Sequence, residues 1–238
     1  MFDNRENLNP TFVDPVQDKS IVHAQQQFLT KVYGWMVGGL LITAATAWWV
    51  ATTPAVLEKV FGMMLFLVLA EFGLVIYLSA RIHKMSKTAA MVSFLAFSFL
   101  NGVTLSVILL AYTQESVYNT FLIAAVMFGA LSLFGFTTKK SLSGVGSFMF
   151  MGLIGIIIAS IVNIFIASSA LNFAISIIGV IVFAGLTAWD TQKLKEMYLI
   201  QYQGNEMATK GAIIGALTLY LDFINLFLFL LRLFGNRR

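Results

Sequence analysis

The sequence predicts an all-α fold, a polytopic membrane helix bundle of seven apolar segments. Three observations carry that prediction. Of the 238 residues, 59% are hydrophobic and only 11% are charged, against roughly 45–50% and about 25% in soluble domains. A water-soluble fold of this size would lack the polar surface to cover itself. Apolar runs of about 18 or more residues recur along the chain, each long enough to cross about 30 Å of hydrocarbon. The runs are continuously apolar rather than alternating, and a backbone in lipid must satisfy its own hydrogen bonds, so helices are selected over barrel strands.

The segments follow in order. Residues 1–28 hold two of the three prolines, six charges of both signs and the run Gln25-Gln26-Gln27. They read as a polar N-terminal tail, mobile or lying on the surface, with a short amphipathic helix near Ile21–Phe28. Their polarity does not fit a cleavable signal peptide. Residues 29–238 then form one seven-segment transmembrane domain, with no second domain. The first run, Val32–Ala51, ends on the interfacial pair Trp48-Trp49. The second, Val60–Leu78, is interrupted by Glu71 and followed by Arg81, His83, Lys84 and Lys87. The third, Ala89–Ala111, carries Asn101-Gly102 at its middle. The fourth, Tyr118–Phe136, stops before Lys139-Lys140. The fifth, Gly146–Ala167, and the sixth, Leu171–Trp189, are joined by only Ser168-Ser169-Ala170. A longer polar loop over Thr191–Lys210 precedes the seventh run, Gly211–Phe234, which is interrupted by Asp222 and closed by Arg237-Arg238.

Charge sets the expected orientation. With a cytoplasmic N-terminus, the inside segments carry Arg5, Lys19, Lys31, Arg81, Lys84, Lys87, Lys139, Lys140, Lys193, Lys195 and Lys210, and the outside loops carry only Lys59. The seventh run conflicts with that rule. A full crossing leaves Arg232, Arg237 and Arg238 on the outside, so the segment either crosses against the charge bias or dips in and returns. The same clustering of basic residues between apolar runs argues against nucleic acid as the partner of a chain of net charge +4. With no cysteine, disulfides, thiolate metal sites and thiol catalysis are excluded. His23 and His83 lack partners at zinc-ligand spacing. Gly34/Gly38 and Gly211/Gly215 stand four apart, a spacing that favours close helix packing within the chain over dimerisation.

The chemistry is concentrated in three acids at membrane depth, Glu71, Asp190 and Asp222. Each ionised acid at a helix centre costs about 2.5–3.5 kcal/mol on insertion scales. Three unpaired ones would cost about 8–10 kcal/mol, comparable to the stability of a whole domain. They must face the bundle interior or water, take up protons, or pair with cations. Two carboxyls brought together share a proton and titrate as a unit. Each acid also has a structural reading. Asp190 ends its run and reads as a helix-end or capping residue, while Glu71 and Asp222 read as partners of buried cations. Arg81, some three turns beyond Glu71, snorkels or reaches an acid on a neighbouring helix. Asn101 and Asn225 read as interhelical hydrogen-bond formers, with Gly102 at the same packing position as Asn101.

Three segments resemble the Bax inhibitor-1 family, also called the transmembrane Bax-inhibitor-motif family. They are Asn101-Gly102-Val103-Thr104-Leu105-Ser106, Ala188-Trp189-Asp190-Thr191-Gln192, and Leu219-Tyr220-Leu221-Asp222-Phe223-Ile224-Asn225-Leu226-Phe227. The resemblance spans residues 25–238 and is nearest to the bacterial members. It implies a seven-helix protein with a central last helix, mediating a pH-sensitive calcium leak in which an aspartate pair senses protons. By motif that pair is Asp190 and Asp222, which would also meet the calcium ion. Glu71 and Arg81 look like the family's acid and arginine of the second helix. The implied setting is the bacterial inner membrane, with lipid and the permeant calcium ion as partners, no tightly bound cofactor and no catalytic activity. Some bacterial members are linked to a membrane-bound ATP-dependent protease, which adds another membrane protein as an expected partner.

Three other readings stand beside the leak. A proton-coupled transporter would use the same acids as a relay. A non-conducting regulator would bind membrane proteins through its apolar surface. An intramembrane aspartyl protease needs Gly-x-Gly-Asp and Pro-Ala-Leu segments, whereas Asp222 follows Tyr220-Leu221 and no proline occurs after Pro54.

Overall fold

Why the apolar runs become these helices is visible at their ends. The computed structural model describes residues 15–201 and 205–238, with side chains over 23–197 and 207–238. Helix α1 spans Pro15–Ala51, α2 Pro54–Arg81, α3 Lys87–Leu110, α4 Gln114–Thr137, α5 Ser143–Ile166, α6 Ser169–Gln201 and α7 Asn205–Phe234. Pro54 opens α2, where its missing N–H costs nothing. Ser86 Oγ accepts from Ala89 N at 3.2 Å and Thr113 Oγ1 from Ser116 N at 3.3 Å, capping α3 and α4. Between α5 and α6 the chain reverses through Ala167 in the left-handed region (φ 52°). There Asn163 Oδ1 accepts from Ser168 N at 3.0 Å.

All seven helices are long and apolar enough to cross a membrane, and no strand occurs among the described residues. Helix α7 is the centre of the bundle, packed against α1, α3, α4 and α6. Its side chains Ile213, Leu217, Leu219, Tyr220, Leu226 and Leu231 are fully buried, as expected of a helix apolar on every side. Helix α2 lies outside α3, and α5 outside α6, each presenting most of its surface to lipid.

Three sequence expectations are corrected. The boundary at residue 28 disappears, because α1 runs unbroken from Pro15. Phe28 and Leu29 are buried, and Gln25 Nε2 donates to Lys195 O at 3.1 Å; residues 1–14 of the expected tail lie outside the described residues. The expected loop over Thr191–Lys210 is mostly helix, since α6 continues to Gln201 and α7 begins at Asn205. Gly34 and Gly38 do not pack, because a Cβ built on either meets nothing within 4 Å, whereas Gly215 lies against Leu194 and Val32.

The conflict at the seventh run also resolves. Helix α7 has 30 residues without interruption, about 45 Å at 1.5 Å per residue, and contains no hairpin that would return it. The chain end is tied to the α3–α4 connection. Thr113 N donates to Asn236 O at 3.0 Å, Arg238 N to Ala111 O at 3.0 Å, and Asn236 N to Ser116 Oγ at 2.9 Å. The C-terminus therefore sits on the face opposite the one that gathers the start of α1, the α4–α5 loop and the end of α6.

Candidate functional site

The segment Trp189-Asp190-Thr191-Gln192 lies inside α6, so successive side chains point about 100° apart around the helix. Trp189 lies under Gly146 of α5, where any Cβ would collide with its ring. Thr191 Oγ1 lies 3.4 Å from Tyr33 Oη of α1. Gln192 Oε1 accepts from Leu142 N at 2.7 Å and its Nε2 donates to Lys140 O at 2.9 Å, fastening the α4–α5 loop. Asp190 is directed at α7. It is 8% exposed, and eleven helical residues follow it, so it does not end or cap its helix.

Asp190 meets Asp222, which is 5% exposed on the central helix. The two carboxyls lie within reach of each other's charge and side-chain hydrogen bonding, and a carboxyl can donate to its neighbour only when it carries a proton. Lys193, three residues along α6, places a positive charge that acts on Asp190; its ammonium lies 4.8 Å from the Trp189 ring centroid. The facing carboxyl aside, Oδ2 of Asp222 finds no hydrogen-bond partner. Among the described residues no third acid or histidine joins the pair to make a metal-ligand group.

A second polar cluster lies across α7 from the pair. Tyr220 Oη donates to Asn101 Oδ1 of α3 at 2.9 Å and lies 2.6 Å from Thr43 Oγ1 of α1. Phe94 and Phe97 meet the Tyr220 ring edge-on at 6.1 and 5.6 Å. Glu71 of α2 accepts from Thr104 Oγ1 at 2.6 Å and hydrogen-bonds the Asn101 side chain. Four helices thus share one hydrogen-bonded chain, and Glu71 is held by neutral donors rather than a cation. Gly102 permits it by letting α3 approach α1, since a Cβ there would lie 2.6 Å from Thr43 O.

The sequence-derived residues therefore separate into two sites. Asp190 and Asp222 come together; Glu71, Asn101 and Gly102 gather on the other side of α7. Arg81 joins neither: it is exposed at the end of α2, ten residues or about 15 Å along the helix from Glu71. Asn225 donates to Leu221 O of its own helix at 2.8 Å instead of crossing an interface. Sequence reasoning did not single out Tyr220, Thr43, Thr104 or Gln192. Tyr220, Thr104 and Gln192 sat in the motif segments, but hydroxyls and amides are common in apolar helices and nothing local sets these apart.

Comparison with known proteins follows the same outline. The family model described as inhibitor of apoptosis-promoting Bax1 matches residues 25–238. The inner membrane protein YbhL of Escherichia coli K12 is 52% identical over 217 residues, covering 90% of this chain and 93% of its own. A Borreliella burgdorferi protein is 44% identical over 229 residues, covering 95% of this chain and 99% of its own. The Rickettsia prowazekii protein RP147 is 42% identical over 241 residues and covers both chains fully.

Proposed function

The chain belongs to the Bax inhibitor-1 family, and from that premise we propose that it is a calcium leak channel gated by protonation of the Asp190–Asp222 pair. One observation carries the reading. Two carboxyls, each more than nine-tenths buried, face each other between α6 and the central helix. With one proton shared, a hydrogen bond joins the helices. When that proton leaves, two negative charges oppose each other in a low-dielectric interior, where Coulomb repulsion is several times stronger than in water. Because α7 also packs on α1, α3 and α4, a shift of α7 changes the whole bundle.

Calcium is the fitting ion because carboxylates are hard oxygen ligands, and protonation removes the charge that attracts it. A resident site needs about six to eight oxygens, more than this pair supplies. The aspartates act as sensor and waypoint, not as a storage site. The Lys/Arg distribution supports a cytoplasmic N-terminus in a bacterial inner membrane, the setting named for the Escherichia coli relative.

The test is calcium-dye flux into proteoliposomes across the pH range, with wild type, Asp190→Asn and Asp222→Asn. Leak should rise with pH in wild type. An Asn partner removes the repulsion while keeping a hydrogen bond, so either variant should flatten the step or displace its midpoint. An unchanged midpoint in both variants overturns the gate. No flux above empty liposomes at any pH overturns the channel and favours a non-conducting regulator of other membrane proteins, such as a membrane-bound ATP-dependent protease. Uptake of a solute driven by a pH gradient would favour a proton-coupled transporter.

A further inference from the structure

Between α1 and α4 an apolar groove of about 920 Å³ opens on the flank of the bundle. The two helices flank it without extensive packing on each other. Phe223 of α7 forms its floor, edge-on to Phe121 and Phe128 at 5.5 Å each. We propose that this groove binds an anionic phospholipid, one acyl chain lying between α1 and α4 and the phosphate beside Lys195.

Three features distinguish the groove from ordinary lipid-facing surface. Its volume falls within the roughly 300–1,000 Å³ of specific ligand sites. Its lining includes a hydroxyl with nothing to bind. Ser132 is 6% exposed, and its Oγ finds no hydrogen-bond partner. Buried Ser98, Ser176 and Thr187 each donate to the carbonyl one turn back in their own helices; Ser132 does not. The Ser132 hydroxyl is itself shut off from solvent. A turn of its side chain about χ1 would bring it to an ester carbonyl in the groove and remove the penalty of an unmet polar group.

The third feature is charge. Phe136 lines the groove at the end of α4, and there Lys195 Nζ donates to Phe136 O at 3.0 Å and lies 5.2 Å from its ring centroid. Both partners are neutral, so among the described residues the ammonium charge has no counter-charge in contact with it. Lys139 and Lys140, both exposed, follow directly after α4. Gln26 and Thr30 add polar groups at the same mouth. Ser132 and Phe136 are one helical turn apart, about 6 Å. Cation, hydroxyl and apolar channel therefore come in the order of phosphate, ester and acyl chain in a glycerophospholipid. The site does not depend on calcium leak, and its test uses no flux.

Native mass spectrometry of the full chain in detergent, with added phosphatidylglycerol or phosphatidylethanolamine, decides the matter. Wild type should retain one phosphatidylglycerol in preference to phosphatidylethanolamine. Gly129 lines the groove, and a Cβ there meets nothing within 4 Å, so Gly129→Phe should fill the channel, keep the melting temperature and abolish retention. Ser132→Ala should weaken retention about tenfold, the equivalent of one lost hydrogen bond. Lys195→Gln keeps an N–H for the Phe136 carbonyl and should erase the preference for the anionic lipid. Equal retention of both lipids by wild type, undiminished retention in Gly129→Phe, or none at all would each overturn the site.

Discussion

Asp190 and Tyr220 show how far a single side chain's meaning depends on what lies opposite it. Asp190 is flanked in sequence by residues that suggest a helix end, yet its partner is a carboxyl 32 positions away. Tyr220 reads as one more bulky apolar residue, yet its hydroxyl joins α3 to α1. Replacing it by Phe leaves Asn101 Oδ1 and the Thr43 hydroxyl each short of a partner. The expected loss is about 1–3 kcal/mol, read as a lower melting temperature with helical content unchanged. Gln192→Ala should act more locally. It removes the acceptor for the buried Leu142 amide, so that amide should exchange with solvent faster, while the central core keeps its protection.

At the scale of elements, the decisive pairings are close approaches allowed by small residues. Helix α4 meets α6 where Gly135 stands against the backbone of Ala188, and an added Cβ would overlap the carbonyl. Backbone cannot swing away as a side chain can, so Gly135→Ala should cost about 1–3 kcal/mol by overpacking. Gly34→Ala should cost nothing, because open space surrounds that position. A comparison of the two melting temperatures checks both statements. The glycine spacing in the sequence marked Gly34 and passed over Gly135; only the neighbour across the interface shows which of them packs.

For the whole molecule, an odd number of crossings places the start of α1 and the C-terminal end of α7 on opposite faces. The absence of cysteine makes this directly measurable. Lys139→Cys and Asn236→Cys should react with a membrane-impermeant thiol reagent from opposite sides. Labelling of both from one side would restore the re-entrant alternative for α7. The same central helix carries Asp222 toward α6 and Tyr220 toward α1 and α3, so its two polar sites stand on different sides of one rod.

The residues alone determined the class and the seven apolar segments, and marked the acids that lie at membrane depth. Apolar length is a local property, and an acid in hydrocarbon carries a cost visible without any partner. The family's motifs supplied the expected pairing of Asp190 with Asp222 and the central last helix. Helix ends were less legible: α6 continues beyond Asp190 through polar residues because Thr191 and Gln192 are paid for by contacts with α1 and the α4–α5 loop. Only the tertiary structure decided that Glu71 is held by Thr104 and Asn101 instead of Arg81, that α7 runs straight through, and that a groove with an unmet hydroxyl lies between α1 and α4. Those outcomes rest on distances between helices far apart in sequence, which hydropathy and spacing within one helix do not encode.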